Sequence, residues 1–149
     1  MQFSRATSAG YLINDLARRF AAALQTRIKP LGLSTGVFPI MVQLWEEDGL
    51  TQADLVRRIG IEQATMANTL MRMQRDGLID RRPSQADGRA QEVRLTEKGR
   101  KLQVPAIEAA LAVNASALAG LSSDERSQFL NLLSKTIDTF DAAAETARS

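Results

Sequence analysis

The chain has no cysteine and no histidine among its 149 residues. Without cysteine there is no disulfide, no thiolate metal site and no thiol redox centre. Without histidine there is no imidazole ligand, no histidine general base and no histidine pH switch. No apolar run approaches the roughly 18 residues that span a bilayer. The N-terminus lacks the compact apolar core of a secretion signal, so a cytoplasmic setting is expected. There is no Gly-rich phosphate loop and no spaced carboxylate pair, so no enzyme, cofactor or metal site is expected. The acidic run Glu46-Glu47-Asp48 is expected to end a helix and stay solvated. Consecutive helical residues do not face one another as ligands would.

What is present is ordinary globular material, 44% hydrophobic, in a length that suits one domain with an extension. The net charge of +2 is small, but it is unevenly placed. From Leu50 to Lys101 there are eleven Arg and Lys against seven Asp and Glu; the remainder holds eight against ten. The basic excess therefore coincides with the stretch from Thr51 to Leu95, the most informative part of the chain.

That stretch reads as helix, tight turn, helix and a two-stranded hairpin. Thr51 with Asp54 three residues on is a helix-opening signal. Ala53, Val56 and Ile59 form an apolar stripe, and Gly60 closes the helix. A second helix is expected from about Glu62 to Asp76, with Met66, Leu70 and Met73 on its core side. Its other face carries Gln63, Ala64, Thr65, Asn68, Thr69, Arg72 and Arg75. Asn pairs with adenine through two hydrogen bonds, Thr meets a thymine methyl or a phosphate, and Arg forks onto guanine or phosphate. An ordinary solvated helix face would look similar; the hairpin that follows favours nucleic acid. Leu78–Arg82 and Gln91–Leu95 read as its strands, and Pro83, Ser84 and Gly88 as its loop. Arg82 adds a cation at the base of the loop. Arg89 at the tip suits a narrow minor groove, with Asp87 to hold its guanidinium in one direction. The expected fold is mainly α with a small β-hairpin wing: a winged helix-turn-helix flanked by dimerisation helices.

The run RDGLIDR, then D-G-R-A, then V-R-L-T-E-K-G resembles the MarR (multiple antibiotic resistance regulator) family of bacterial transcription factors. The most specific pieces are the Asp87–Arg89 wing tip and the Leu95, Thr96, Lys98, Gly99 motif after it. The resemblance extends over nearly the whole chain. It implies a triangular homodimer that binds a pseudo-palindromic operator in double-stranded DNA, usually as a repressor. It implies that Thr65, Asn68 and Arg72 read or clamp the major groove and that Arg89 enters the minor groove. The absence of cysteine excludes the peroxide-sensing chemistry of one branch of the family. Many members carry a longer, more charged wing tip. Here Gly88 and Ala90 flank the arginine, so fewer wing contacts to phosphate are expected.

The flanks are helical. Residues 1–8 are expected to fray. A helix from Tyr11 to about Lys29 repeats Leu12, Leu16, Phe20, Leu24 and Ile28 every four residues. A second starts near Gly36 and ends at Glu46, with Pro39 in its first turn. Thr96 opens a long helix to about Ala119, in which Pro105 is expected to kink the helix or loosen one turn by removing a hydrogen bond. Ser122 and Glu125 form a capping box for the last helix, and the tail from Ala142 is expected to fray. Leu12, Ile13 and Leu16, with Phe129, Leu133, Ile137 and Phe140, exceed what one small domain buries and are assigned to a dimer interface. The expected division is 1–33 (N-terminal dimerisation helix), 34–98 (DNA-binding module) and 99–149 (C-terminal dimerisation helices). The resemblance also implies a small-molecule pocket, often for aromatic acids, phenols or lipophilic drugs. Candidate lining residues are Leu16, Phe20, Phe38, Met41, Val42 and Trp45, with a buried Arg18 or Arg19 to neutralise a carboxylate. The competing reading is a winged-helix module for protein–protein contact. Such a module calls for an apolar or acidic face, which Asn68, Arg72 and Arg75 oppose.

Overall fold

The structure is a computed structural model that describes residues 2–149; the part of the expected fraying that falls on Met1 lies outside them. Ser8 caps the first helix, α1 (Ala9–Ile28), by accepting from the Tyr11 N–H, so residues before Tyr11 are already helical. A 3-10 turn over Lys29–Leu31 follows, then α2 (Phe38–Glu46) with Pro39 in its first turn. The start falls two residues after Gly36 because the Ser34 carbonyl first accepts from Val37 and Phe38.

Two residues, Leu50–Thr51, form a short strand β1 that the sequence reading did not contain. Thr51 then caps α3 (Gln52–Ile59): its hydroxyl accepts from the Asp54 N–H, and the Asp54 carboxylate accepts from the Thr51 N–H. The helix buries Leu55 completely, with Val56 and Ile59 beside it. The expected stripe is therefore off at one position: Ala53 is exposed, because residues 55, 56 and 59 share the inward face. Gly60 adopts φ 77°, the left-handed turn that joins α3 to α4 (Gln63–Arg75).

β2 (Ile79–Pro83) and β3 (Gln91–Leu95) form the antiparallel wing, and β1 pairs with the outer side of β3. The sheet thus has three strands in the order β1-β3-β2, with Arg81 opposite Val93 and Leu50 also opposite Val93. The wing is anchored on both sides of β3, not hinged at one.

The expected single helix after Thr96 is two: α5 (Glu97–Lys101) and α6 (Gln103–Ala117), interrupted at Leu102. Pro105 has no N–H to give the Lys101 carbonyl, so the turn before it opens. The last helix, α7 (Ser123–Arg148), starts at the expected Ser122–Glu125 capping box. It continues to Arg148 and does not end at Ala142; the final turns are alanine-rich, and alanine favours helix. The acidic run ends α2 and stays exposed, as expected, and two of its carboxylates make contacts at the surface. Glu47 pairs with Arg58 at 2.7 Å, and the Asp48 carboxylate accepts from the N–H groups of Gly49 and Leu95.

The chain forms two compact units, Met1–Val113 and Asn114–Ser149. In the first, one core joins Ile28, Ile40, Met41, Leu44, Leu55, Met66, Leu70, Met73, Ile79 and Val93, all essentially inaccessible to solvent. Burying each such side chain stabilises by about 1.5–3 kcal/mol. In the second, α7 carries Leu130, Leu132, Ile137 and Phe140 exposed. Among the described residues, no helix is long and apolar enough to cross a membrane.

Gly99 sits where a Cβ would collide with the Leu78 carbonyl oxygen and crowd Leu95. Gly99→Ala is expected to lower stability by about 1–3 kcal/mol, the usual cost of overpacking, seen as a fall in melting temperature.

Candidate nucleic-acid interface

The face of α4 away from the core presents Gln63, Ala64, Thr65, Asn68, Arg72 and Arg75, all exposed. They share that face because Met66, Leu70 and Met73 turn the opposite side inward. Thr69 departs from the expected set. It is 4% exposed, and its hydroxyl donates to the Thr65 carbonyl at 2.8 Å. It lies three residues after Met66 and four before Met73, on the core side, so it meets no external partner. Arg75 lies against Asp76 at 3.4 Å, while Arg72 reaches back toward the Thr69 hydroxyl.

The start of α4 is set by the capped α3. Asp54 is held below the ordinary carboxylate range, first by the backbone N–H of Thr51 and then by the Arg57 guanidinium. The end of α4 is pinned to the wing. The Thr96 hydroxyl donates to the Gly77 carbonyl at 2.6 Å, with the Leu78 carbonyl at 3.1 Å, and accepts from the Gly99 N–H. The Lys98 ammonium donates to the Asp76 carbonyl at 2.8 Å, an orphan group at the helix C-terminus. The Trp45 indole donates to the Gly99 carbonyl at 3.0 Å and ties α2 to the same junction.

The wing loop is closed by Ser84, whose buried hydroxyl accepts from the N–H groups of Ala86 and Asp87. Asp87 acts differently from the expectation. Its carboxylate accepts from the backbone N–H of Arg89 at 3.0 Å, which shapes the turn and leaves the Arg89 guanidinium without a protein partner among the described residues. Asx side chains do this readily in turns. Arg82 and Arg89 are both exposed.

Arg81 was missed by the sequence reading. It lies two residues after the buried Ile79 and opposite the buried Val93, so strand alternation turns it inward. Its Nε and one terminal nitrogen are inaccessible to solvent and have no hydrogen-bond partner. Arg81 also lines an open cavity of about 370 Å³, together with Thr51, Gln52, Ala53, Gln63, Ala90, Gln91 and Val93. The start of α3, the start of α4 and the base of the wing therefore meet around one guanidinium.

The candidate ligand pocket is assembled only in part. Phe38 and Trp45 stack edge to face with centroids 6.2 Å apart, and Met41 is fully buried as core. Val42 and Phe20 are half-buried, and Leu16 is exposed. Arg18 and Arg19 are not buried: they are 69% and 75% exposed and lie against Asp15 at 3.7 and 3.2 Å. They sit three and four residues from Asp15 on the outer face of α1, where ion pairing holds them in solvent.

A sequence model of the MarR family matches residues 31–90. Among solved structures, the chain is similar to a MarR transcriptional regulator from Methanosarcina mazei Go1, with 26% identity and a TM-score of 0.84 over 90% of this chain and 96% of that one. It is similar to BpsR of Bordetella bronchiseptica, solved to explain regulation of its DNA binding by 6-hydroxynicotinic acid. There the identity is 26% and the TM-score 0.84, over 93% of this chain and 99% of that one. It is also similar to the PcaV transcriptional regulator of Streptomyces coelicolor in complex with its natural ligand. There the identity is 26% and the TM-score 0.80, over 93% and 97%.

Because the folded state depresses the Asp54 pKa, the Thr51–Asp54 cap contributes stability that is fully present above the unfolded value. That contribution is lost as pH falls through the lower, folded value. Acid titration of thermal stability is expected to show this decline in the wild type and a shallower one in Asp54→Asn.

Proposed function

We propose that this chain is a winged helix-turn-helix transcriptional regulator of the MarR family, whose model matches residues 31–90, and that it acts as a homodimeric repressor. It binds a pseudo-palindromic operator in double-stranded DNA and is released by a small molecule. The observation that carries the DNA reading is the exposed row Thr65, Asn68 and Arg72 on α4, beside a wing whose Arg89 guanidinium has no protein partner. Short polar groups followed by long cations suit base edges and phosphates of the major groove. A free arginine at a hairpin tip suits the electronegative minor groove next to it.

The dimer reading rests on apolar faces left in solvent. On α1, Leu12, Ile13 and Leu16 are 48%, 45% and 37% exposed; on α7, Ile137 and Phe140 are 60% and 75% exposed. Phe129 and Leu133 lie half-buried on α7. Helix faces of this kind are covered by a second copy when a two-fold operator is read. Ligand release is supported by the relatives: BpsR has its DNA binding regulated by 6-hydroxynicotinic acid, and PcaV has a natural ligand. For this chain, the ligand pocket is assigned to Phe20, Phe38, Val42 and Trp45. Arg19 would have to leave Asp15 to meet a carboxylate. DNA as target places the protein in the cytoplasm.

The test is selection from randomised duplex DNA at fixed salt. An inverted repeat with half-sites about one helical turn apart is expected. Retention without an enriched sequence would contradict specific readout, and no retention at low salt would turn the reading to a protein-contact module. On the selected duplex, Arg72→Ala and Arg89→Ala are expected to lose about 1–3 kcal/mol per bidentate base contact and to relax specificity. Phe129→Glu with Ile137→Glu is expected to give a folded monomer in analytical ultracentrifugation.

A further inference from the structure

The core does not use Met71, a large apolar side chain that is 61% exposed on α4. The other methionines of this helix, Met66 and Met73, are fully buried. On most surfaces a single apolar side chain in solvent calls for no explanation. The place of this one does. Ala64, Asn68, Met71 and Arg75 follow one another at steps of four, three and four, so they form one ridge along the helix. That ridge points directly away from Met66, Leu70 and Met73, and all four of its residues are exposed. Met71 therefore stands within the face proposed to enter the major groove, between Asn68 and Arg75 and next to Arg72.

We propose that Met71 is a specificity-determining residue that packs on the C5-methyl group of a thymine in the major groove, one or two base pairs from the base that Asn68 meets. This rests on the DNA reading given above and deepens it. The charge of the face selects the occupant. From Gln63 to Arg75, α4 holds no Asp or Glu, and Arg72 and Arg75 lie beside Met71. A second copy packed ridge to ridge would set those cations against their equals, whereas a polyanion is drawn to them. On the major-groove edges of the bases, the thymine methyl is the apolar group among hydrogen-bond donors and acceptors. Met71 carries no charge and no donor. Against a polar edge it would displace water without replacing its hydrogen bonds; against a methyl it gains by covering apolar surface. Its unbranched, polarisable chain adapts to the shape of the groove. The spacing agrees: three residues of helix rise about 4.5 Å, and successive base pairs lie about 3.4 Å apart. With Asn68 on an adenine, Met71 on a thymine methyl selects a neighbouring A·T pair.

The experiment measures wild type and Met71→Ala on the selected duplex and on a series in which each thymine in turn is replaced by uracil. Uracil removes the methyl and keeps the base pairing. For the wild type, uracil at one position of each half-site is expected to weaken binding about fourfold per half-site, the loss of one covered methyl. Met71→Ala should bind the thymine duplex more weakly and be indifferent to uracil at that position. It should keep the salt slope of the wild type, because no phosphate contact is removed. Its melting temperature should match the wild type, because the side chain lies outside the core. Hydrogen peroxide gives an independent readout on the unaltered protein, since it oxidises accessible methionine to the sulfoxide. Oxidation of Met71, followed by mass spectrometry with the buried Met66 and Met73 as reference, should slow on the selected duplex. No uracil-sensitive position in the wild type, the same sensitivity in Met71→Ala, or an equal loss by Met71→Ala on every sequence would each overturn the proposal. So would oxidation of Met71 at one rate with and without the duplex. If Arg72→Ala and Arg89→Ala still lose binding in any of these cases, the DNA reading stands. Absence of any DNA binding by the wild type would remove both.

Discussion

The structure depends most on the junction where α4 ends and the wing begins. At that point Thr96 bridges three backbone groups: it donates toward the carbonyls of Gly77 and Leu78 and accepts from the N–H of Gly99. Lys98 caps the Asp76 carbonyl, and Trp45 reaches the Gly99 carbonyl from α2. Only glycine fits at 99, because the Leu78 carbonyl occupies the space a Cβ would take. The Leu-Thr-x-Lys-Gly motif is therefore a lock with a physical reading for each residue. It makes α4 and the wing a single rigid body, so that the outer face of α4 and the tip arginine keep a fixed separation. Preorganisation of that kind spares the ordering entropy that separate flexible elements would lose on binding.

Rigidity also explains why the sheet has three strands. A two-residue strand adds little burial, yet β1 holds Thr51 in place as the cap of α3 and lies against the inner strand of the wing. The carboxylate of Asp48 accepts from the Leu95 N–H at the far end of β3. The start of α3, the start of α4 and the base of the wing are thus fixed to one another on both sides of the cavity that Arg81 lines. The basic excess lies in this same region, which directs a polyanion to it through long-range attraction as well as contact.

Local signals were the legible ones. Both capping boxes, the end of α3 at Gly60 and the limits of α4 are written in neighbouring residues, and the structure has them within a residue or two. Non-local pairing was not legible: nothing in Leu50–Thr51 alone announces a strand whose partner lies some forty residues away. Two misses at the site had signals that were overlooked. Thr69 keeps the three-four spacing of Met66 and Met73 and so belongs inside; chemistry that suits DNA hid it. Arg81 keeps the period of two from Ile79 and so points inward, although a charged residue in a wing strand reads at first as surface. Asp87 was given the right place and the wrong bond, because side-chain direction in a turn follows from backbone N–H groups that a sequence does not display. The proposal that α1 and α7 assemble a dimer rests on their exposed apolar faces alone.

The central claim is that α4 and the wing act as one head that straddles a single backbone strand. Hydroxyl-radical footprinting on a selected duplex tests it most directly, because the radical reports minor-groove sugars. The account predicts two protected minor-groove patches, each beside a major-groove half-site. Arg89→Ala should lose those patches while keeping the central contacts. Thr96→Val, which breaks the junction, should blur patches and half-sites together. A continuous, sequence-independent footprint, or patches that survive both substitutions, would contradict it.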